Sequence, residues 1–204
     1  MLNVGLTGGI ASGKSTVAGM LQEKGAFLVD FDVLTHKVEE PGQPAWKAIV
    51  GFFGVEILSD DGTINRSKLG AIVFRNREKL ARLNEIVHPL LFREWRRRLA
   101  AIQAKKPEAI IISDIPLLIE INAQNLVDLI ILVYASPRQQ VERLISRNGC
   151  TSEEAFQRLA SQVPIDEKIS QADIVVDNGA SLEETRRAVD ELWTVLISRE
   201  QKKA

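Results

Sequence analysis

Residues 8–15 read Gly-Gly-Ile-Ala-Ser-Gly-Lys-Ser, and this octapeptide limits the folds open to the chain more than any other segment. An apolar stretch, Asn3–Leu6, runs directly into it, and a helical pattern follows. Glycines let the backbone turn tightly enough for successive N–H groups to point at phosphate oxygens, and the following helix presents its positive dipole end to the same anion. The spacing is that of a P-loop and predicts a strand, a triphosphate cradle and a helix.

Single positions of this loop predict roles. We expect Lys14 to reach the β- and γ-phosphates of a nucleoside triphosphate and the Ser15 hydroxyl to hold Mg²⁺. Thr16 is placed to contact the α-phosphate. A glycine-rich turn that binds nothing is the alternative, and the complete motif between a strand and a helix makes it the weaker one.

Short apolar runs alternate with helical patterns along the chain, which is typical of an α/β sheet. Several runs are continuously apolar, as expected of parallel strands buried on both faces. Thr151 with Glu154 and Ser181 with Glu184 form capping-box patterns, and Gly25 is placed to end the first helix. The predicted strands are Asn3–Leu6, Phe27–Val29, Ala109–Ser113, Leu129–Tyr134 and Ile174–Val176.

Residues 33–106 contain no convincing strand. Their helical patterns are expected to break at Pro41-Gly42, at Ser59–Gly62 and at His88-Pro89. A simple crossover between parallel strands needs only about a dozen residues, so the excess predicts a helical insertion. Long insertions of this kind are usually functional, although a helical layer that only covers the sheet is the alternative. At the C-terminus we expect Arg199–Ala204 to fray into a solvated tail.

Composition narrows the class of protein. A net charge of −1 gives no indication of a nucleic-acid-binding surface. The single cysteine, Cys150, allows no intrachain disulfide and favours a reducing compartment. The longest apolar run, Leu129–Ala135, is too short to cross a bilayer, and the first residues do not resemble a signal peptide. We therefore expect a cytoplasmic protein without nucleic-acid or membrane partners.

Two motifs that do not occur in the sequence restrict the classes of P-loop protein to which the chain can belong. The chain has neither an Asn-Lys-x-Asp guanine signature nor the Leu-Ser-Gly-Gly-Gln segment of transporter ATPases, which leaves the small-molecule kinases. Arg143 and Arg147 follow the fourth predicted strand and are four residues apart, so they share one helical face. Two guanidiniums on a mobile lid can neutralise the charge of a phosphoryl group in transfer. A solvated face balanced by nearby glutamates is the alternative.

Carboxylates follow two of the predicted strands. Asp30-Phe31-Asp32 ends the second strand, where a side chain faces the crevice in which parallel sheets bind ligands. One of the two can cap the next helix, and Asp30 is better placed for that role. A carboxylate here can accept the proton of an attacking hydroxyl or brace the metal ion, and Asp32 is the predicted catalytic base. Asp114 after the third strand either braces Mg²⁺ or caps the strand end.

In their order along the chain, these segments resemble the dephospho-coenzyme A kinases. The resemblance covers nearly the whole chain, and although only the P-loop is specific alone, the ordered combination is specific. It implies a three-layer P-loop kinase fold with a parallel five-stranded sheet in the order 2-3-1-4-5. The matching segments are Leu6–Thr16, Val29–Asp32, Glu40–Gly42, Leu83–Leu90, Pro116–Glu120, Arg143, Arg147, Gln162 and Ala172–Gly179. The implied parts are a core of 1–32, 107–136 and 172–204, a helical CoA-binding subdomain of 33–106 and a lid of 137–171.

The resemblance also implies an activity and its residues. The family transfers the γ-phosphoryl group of ATP, with Mg²⁺, to the ribose 3′-hydroxyl of dephospho-CoA, the last step of coenzyme A synthesis. Asp32 resembles the carboxylate that activates this hydroxyl, and Arg143 and Arg147 resemble lid residues that act in catalysis with Lys14. His88 and Leu117 are the further substrate-binding positions, and we expect a monomer. The implied ATP-binding residues are Ala11, Ser12, Gly13, Lys14, Ser15, Thr16, Asn178 and Gly179.

The chain departs from the family pattern at two positions. Phe31 replaces a small residue, and His36 stands where the family has an arginine. Because a histidine is largely uncharged at neutral pH, the sequence does not predict a substrate phosphate at His36. Two other functions stay open: a kinase for another acceptor, such as a nucleoside monophosphate, a sugar acid or shikimate, and a binding module that uses ATP as a switch.

Overall fold

The computed structural model describes residues 1–203, and a parallel five-stranded sheet lies at its centre. The strands are β1 (Leu2–Gly8), β2 (Phe27–Asp30), β3 (Ile110–Asp114), β4 (Leu129–Tyr134) and β5 (Ile174–Asp177). They are ordered β2-β3-β1-β4-β5, which confirms the expected topology. β1 pairs with β3 on one side and β4 on the other, so that Leu6 lies between Asp114 and Ile131. The loop that follows β1 therefore leaves the middle of the sheet at its carboxyl edge, where ligands bind in such folds.

Helices pack on both faces of the sheet. The helices of residues 1–203 are α1 (Lys14–Glu23), α2 (Phe31–Val38), α3 (Pro44–Phe53), α4 (Arg66–Val73), α5 (Arg77–Lys105), α6 (Pro137–Asn148), α7 (Ser152–Ala160), α8 (Ile165–Ile169) and α9 (Leu182–Lys203). α1 and α9 pack on each other and against β1. Every residue of β1 and β3 is buried, as expected of parallel strands that are covered on both faces. The main core includes Val4, Leu6, Val17, Leu21, Ile112, Ile131, Val189 and Leu196.

Local signals set most helix ends. Thr151 and Glu154 bond reciprocally as a capping box at α7, and Ser181 and Glu184 do the same at α9. Gly25 adopts a φ of 107° just beyond α1, as its position predicts. These ends are confirmed because capping depends on neighbours within one turn.

The frayed C-terminal tail is a wrong prediction over the described residues. α9 continues to Lys203, and Ala204 lies outside the residues that the structure describes. Glu200 is buried, and Lys203 Nζ forms an ion pair with Asp128 Oδ1 at 2.5 Å. Contacts with distant parts of the chain hold a segment whose polar composition suggested solvent exposure.

The chain divides into two compact units, residues 1–29 with 102–204 and residues 30–101. We call the first the phosphate-loop unit and the second the helical unit. The helical unit holds α2, α3, α4 and most of α5, and its core is formed by Ala45, Ile49, Ile57, Leu69, Leu91 and Trp95 among others. None of the helices in 1–203 is apolar over enough of its length to span a membrane.

The expected break at His88-Pro89 is also wrong, because α5 runs without interruption from Arg77 to Lys105 with Pro89 inside it. The breaks at Pro41-Gly42 and Ser59–Gly62 are confirmed as turns between elements. Proline removes one helical hydrogen bond, but tertiary packing can override that cost. Val87, Leu91 and Trp95 are buried on one face of α5, on either side of the proline.

Candidate active site

The phosphate loop, residues 8–15, is shaped by two left-handed backbone positions. Ser12 N donates to Gly9 O at 3.1 Å, and Ala11 has a φ of 57° within that turn. Gly13 has a φ of 89° and directly precedes α1. The first N–H groups of a helix have no partner inside the helix, so those of Lys14 and Ser15 are available to an anion. The N–H of Thr16 donates to Gly13 O at 3.0 Å.

Lys14 lies at the start of α1 and forms an ion pair with the carboxylate of Asp114. Asp114 is the last residue of β3 and is 5% exposed. The side chain of Lys14 is 18% exposed, so the ammonium group sits at the carboxyl edge of the sheet without being sealed from solvent. The structure therefore places a lysine and a carboxylate together beside the phosphate loop.

Ser15 and Thr16 are exposed on the first turn of α1. Hydroxyl and carboxylate oxygens are the ligand type that Mg²⁺ prefers, and it usually keeps several waters and substrate phosphate oxygens as further ligands. The Ser15 hydroxyl and the Asp114 carboxylate fit that donor set. Across residues 1–203 no group of three or more histidine, cysteine, aspartate or glutamate side chains could hold a metal by itself.

Asn178 holds the phosphate loop through its side-chain amide. Its Nδ2 donates to Ser12 O at 2.8 Å, and its Oδ1 accepts from Thr185 Oγ1 at 2.8 Å. A Cβ on Gly13 would lie 1.9 Å from Asn178 Nδ2, so residue 13 must be glycine for both its positive φ and this close approach. Asn178 is 8% exposed, and its amide holds the loop in shape.

The predicted lid arginines differ in what they contact. Arg143 Nη1 donates to Ser12 O at 3.2 Å, and its Nη2 donates to Asn178 O at 2.7 Å. Arg147 is exposed, and its Nε donates to the neighbouring Asn148 Oδ1. Within the described residues only the first of the two touches the phosphate loop.

A cavity of about 280 Å³ opens beside the loop. Gly179, also expected at the nucleotide, is fixed at its edge, because Gln139 Nε2 donates to Gly179 O at 2.6 Å. Sequence reasoning missed Thr185 and Gln139. Thr185 bonds to Asn178, seven residues earlier in the chain, whereas Gln139 closes the capping box of α6 with Ser136 and reaches Gly179, 40 residues away. The cavity is lined by Gly13, Thr16, Arg143, Asn178, Ala180 and Leu182.

In the helical unit, Asp30 and Asp32 have separate tasks. Asp30 Oδ1 accepts from the backbone N of Asp32 at 2.8 Å and of Val33 at 3.1 Å, so Asp30 caps α2 as predicted. Asp32 is exposed, and its carboxylate makes no hydrogen bond or ion pair with any residue in 1–203. The first turn of α2 thus presents a free carboxylate.

His88 belongs to an aromatic cluster of the helical unit. Its ring lies edge-on to Phe92 with centroids 5.9 Å apart, and Phe92 contacts Phe31 at 6.1 Å. Burial lowers the pKa of His88 below its ordinary value of 6.5, so the imidazole is neutral at pH 7. Phe31, which replaces a small residue in the family pattern, packs in this cluster.

His36 has a guanidinium beside it after all. Arg66 Nη2 lies 3.2 Å from His36 Nδ1 and 2.7 Å from Glu39 Oε2. Burial raises the pKa of Glu39, and the charge of Arg66 acts in the opposite direction. α4 therefore supplies a positive charge near the position where the family has an arginine.

The helical unit has a cavity of its own, of about 260 Å³. Three cationic side chains line it, Lys37, Arg93 and Arg97, against one carboxylate, Glu94. Hydrogen bonds from Arg97 and then from Lys37 hold the pKa of Glu94 at about 2, despite an opposing contribution from burial. Arg93 makes no hydrogen bond or ion pair within 1–203, and the cavity carries excess positive charge.

Leu117 lies in the phosphate-loop unit, in the turn that follows β3, and is 42% exposed. The residues on either side of it in the turn serve the fold: Thr7 Oγ1 donates to Pro116 O at 3.1 Å, and Leu118 is fully buried. An apolar side chain held out from a rigid turn can form part of a binding surface.

Comparisons with known proteins agree on one family. A family model described as dephospho-CoA kinase matches residues 2–184. The dephospho-CoA kinase of Syntrophus aciditrophicus is 54% identical over 201 residues, which cover 98% of this chain and 86% of that protein. A crystal structure of TT1252 from Thermus thermophilus has a TM-score of 0.79 and 31% identity, covering 96% of this chain and 97% of that one. The dephospho-CoA kinase from Campylobacter jejuni has a TM-score of 0.71 and 26% identity, with 96% and 97% covered.

Proposed function

Because the chain belongs to the dephospho-CoA kinase family and so transfers a phosphoryl group from ATP to dephospho-CoA, we propose that its two units divide the work. The phosphate-loop unit holds ATP, and the helical unit presents the acceptor and its base. The observation that supports this division is the phosphate loop itself, with Gly13 left-handed at the start of α1 and Lys14 beside Asp114.

ATP is bound mainly by the backbone. Within residues 11–16, the N–H groups of Ala11, Gly13, Lys14 and Ser15 surround the β- and γ-phosphates, because those of Ser12 and Thr16 already donate to Gly9 O and Gly13 O. The Lys14 ammonium donates to the same phosphates from the edge of the sheet. Thr16 lines the cavity next to the loop and is within reach of the α-phosphate side. The same cavity, with Asn178 and Gly179 at its edge, receives the adenosine part.

Mg²⁺ would be held by Ser15 and Asp114, with ATP and water supplying the other ligands. When bound, the ion supplies charge neutralisation at the phosphate oxygens. Ser15 offers its hydroxyl oxygen from the first turn of α1, and Asp114 offers an oxygen from the end of β3. Lys14 balances the charge of Asp114 before ATP arrives, which lowers the cost of a carboxylate at 5% exposure.

Asp32 acts as the general base. Because Asp30 takes the capping hydrogen bonds of α2, both oxygens of Asp32 stay available to accept a proton. Asp32 takes the proton of the ribose 3′-hydroxyl as that oxygen attacks the γ-phosphorus, and ADP leaves from the opposite side. A positioned base contributes roughly a hundredfold or more to such a step.

The helical unit recognises the rest of the acceptor. Its cationic cavity suits the phosphates that dephospho-CoA carries, with Arg93 as the unpaired donor. His88, neutral because of burial, can offer a hydrogen bond without adding charge. Arg66, which pairs with Glu39, places a guanidinium beside His36. Leu117 contributes an apolar contact from the phosphate-loop unit.

Arg143 and Arg147 stabilise the charge that spreads over the γ-phosphoryl oxygens during transfer. Arg143 already lines the nucleotide cavity, where its guanidinium is held by two backbone carbonyl oxygens. Arg147 is exposed on the same helix, and its role requires α6 to move with the lid. We also propose a cytoplasmic monomer without nucleic-acid or membrane partners.

The experiment that tests this function is an ADP-release assay with a panel of acceptors. Dephospho-CoA should give turnover, whereas shikimate, gluconate and nucleoside monophosphates should give no more than buffer. A 3′-deoxy analogue of dephospho-CoA separates the proposed hydroxyl from the 2′-hydroxyl, because it should bind and yet give no product. Turnover with the 3′-deoxy analogue would show that a different oxygen is phosphorylated.

A further inference from the structure

The phosphate loop contains an alanine in a conformation that usually requires glycine. Residues 9–12 form a turn closed by the Ser12 N to Gly9 O bond, and its third residue, Ala11, has a φ of 57°. A turn with positive φ at the third position is normally occupied by glycine or asparagine. Strain of this kind persists where the surrounding structure holds the backbone in place, and it is concentrated at functional sites.

A side chain from outside the loop holds the residue next to this alanine. Ile10 N donates to Gln162 Oε1 at 3.0 Å. Gln162 lies in the short connection between α7 and α8, 152 positions further along the chain. The N–H of the second residue of such a turn has no partner inside the turn, so the oxygen of Gln162 satisfies it.

Apolar packing supports the same link. The side chains of Ile10 and Ala11 pack against a small cluster formed by the buried residues Val141, Leu144 and Ala155. These three residues belong to α6 and α7. The tip of the phosphate loop is therefore held by the segment that the sequence predicts to be the lid.

A buried ion pair fixes the connection that carries Gln162. Glu120 Oε1 accepts from Val163 N at 3.2 Å and pairs with Lys168 Nζ at 2.6 Å. The side chain of Lys168 is completely buried, and that of Glu120 is 16% exposed. A pair that has lost most of its hydration contributes little net stability, but removing either partner leaves a buried charge uncompensated. Glu120 and Lys168 thus fix the backbone at the residue directly after Gln162.

We propose that Gln162 is a positioning residue for ATP. Its side-chain oxygen holds the Ile10 amide, keeps Ala11 left-handed and so aims the amides that follow at the triphosphate. Gln162 needs no contact with the nucleotide, because it acts through the loop. The inference rests on the proposed binding of ATP phosphates by residues 11–16.

The first test replaces Gln162 by methionine, which keeps the length of the side chain and removes the acceptor. Loss of one hydrogen bond to the loop should weaken the Kd of ATP about three- to tenfold, with a matching rise in KM for ATP. The KM for dephospho-CoA should stay unchanged, and kcat at saturating ATP should change less than KM. The matched control is Gln171→Met, because within residues 1–203 the side chain of Gln171 bonds only to Gln124, at an exposed site. Equal ATP affinity in Gln162→Met and Gln171→Met would overturn the proposal.

The second test asks whether the effect passes through Ala11. Glycine adopts the left-handed conformation without strain, so Ala11→Gly should make the turn less dependent on Gln162. In the Ala11→Gly background, Gln162→Met should weaken ATP binding less than about twofold, instead of about three- to tenfold. A loss of the same size in both backgrounds would mean that Gln162 only stabilises the fold, and the inference would fail.

Amide hydrogen exchange of the unsubstituted protein gives a readout that needs no variant. The Ile10 amide should exchange at least about tenfold more slowly than in an unstructured chain, in the absence of nucleotide. Exchange at the unstructured rate would contradict the Gln162 bond even if Gln162→Met cannot be folded. Calorimetric titration of the unsubstituted protein with ATP and Mg²⁺ separates the proposed function from the present inference. If ATP does not bind, the proposed function fails. If ATP binds and Gln162→Met binds it equally well, only the present inference fails.

Discussion

The two units hold their functional side chains in opposite ways. In the phosphate-loop unit, Lys14, Arg143 and Asn178 are bonded to other protein groups. In the helical unit, the carboxylate of Asp32 and the guanidinium of Arg93 have no bonded partner in 1–203. The three side chains at the phosphate loop are held in place by bonds within the protein, whereas Asp32 and Arg93 face solvent.

The chemistry of the ligands explains this difference. A triphosphate presents the same oxygens in every nucleoside triphosphate, so fixed backbone N–H groups can bind it with little reorganisation. An acceptor must be distinguished from others and must deliver one hydroxyl to a base, which requires free side chains. Under the proposed division of work, the groups that bind the nucleotide are held in place by the protein, and the side chains that bind the acceptor are free to contact it.

The largest expected effect is on the rigid side. Lys14→Ala removes the only side-chain cation that the P-loop pattern supplies to the β- and γ-phosphates and should lower kcat by roughly a thousandfold. The matched control is Lys24→Ala, since Lys24 forms an ion pair with Asp190 at the far end of α1. Steady-state kinetics and thermal unfolding of both variants check this, and an unfolded Lys14→Ala would show that the ion pair with Asp114 is structural.

Asp32→Asn should come next, with kcat reduced by roughly a hundredfold and the Kd of ATP nearly unchanged. The substitution keeps the size of the side chain and removes its ability to accept the proton. Asp60→Asn is the control, because Asp60 is an exposed aspartate of the same unit in a turn. Single-turnover kinetics measure the step directly, and full activity in Asp32→Asn would remove Asp32 from the mechanism.

The cationic cavity of the helical unit predicts a smaller effect, on binding alone. Arg93→Ala should raise the KM for dephospho-CoA by about three- to tenfold, as expected for one exposed charge-assisted bond. The KM for ATP should not change. The matched control is Arg96→Ala. Arg96 belongs to the same run of arginines, Arg93 with Arg96–Arg98, but does not line the cavity. If both variants behave alike, the run is a solvated helix face.

The smallest expected effect is a change in how the free energy of unfolding depends on pH. Burial lowers the pKa of His88 in the folded state, so the unfolded chain binds its proton at higher pH than the fold does. Stability should therefore fall as pH drops below about 6.5, with a slope less than the roughly 1.4 kcal/mol per pH unit of one full proton. In His88→Phe, the free energy of unfolding should fall less between pH 7 and pH 5 than it does in the unsubstituted protein. An unchanged slope would show that His88 is not responsible.

Much of the fold follows from the sequence, and the reason is local. β4 begins and ends as predicted, and the capping boxes at Thr151 and Ser181 mark helix starts correctly. Asp30 caps α2 for the same reason, since the bonded N–H groups lie two and three residues away. Strand order, by contrast, came from the family resemblance.

Where a prediction from the sequence was wrong, contacts with distant residues outweighed a local preference. α5 continues through Pro89 because buried residues on either side hold it in one helix. The contact between Arg66 and His36 joins residues 30 positions apart, and no local pattern in the sequence indicates it.

By itself the sequence determined that a triphosphate cradle follows the first strand, because glycine conformations and helix dipoles act over a few residues. Only the tertiary structure decided which groups hold that cradle in shape. Asn178, Arg143 and Gln162 reach it from positions more than a hundred residues away, at distances that no spacing in the sequence encodes.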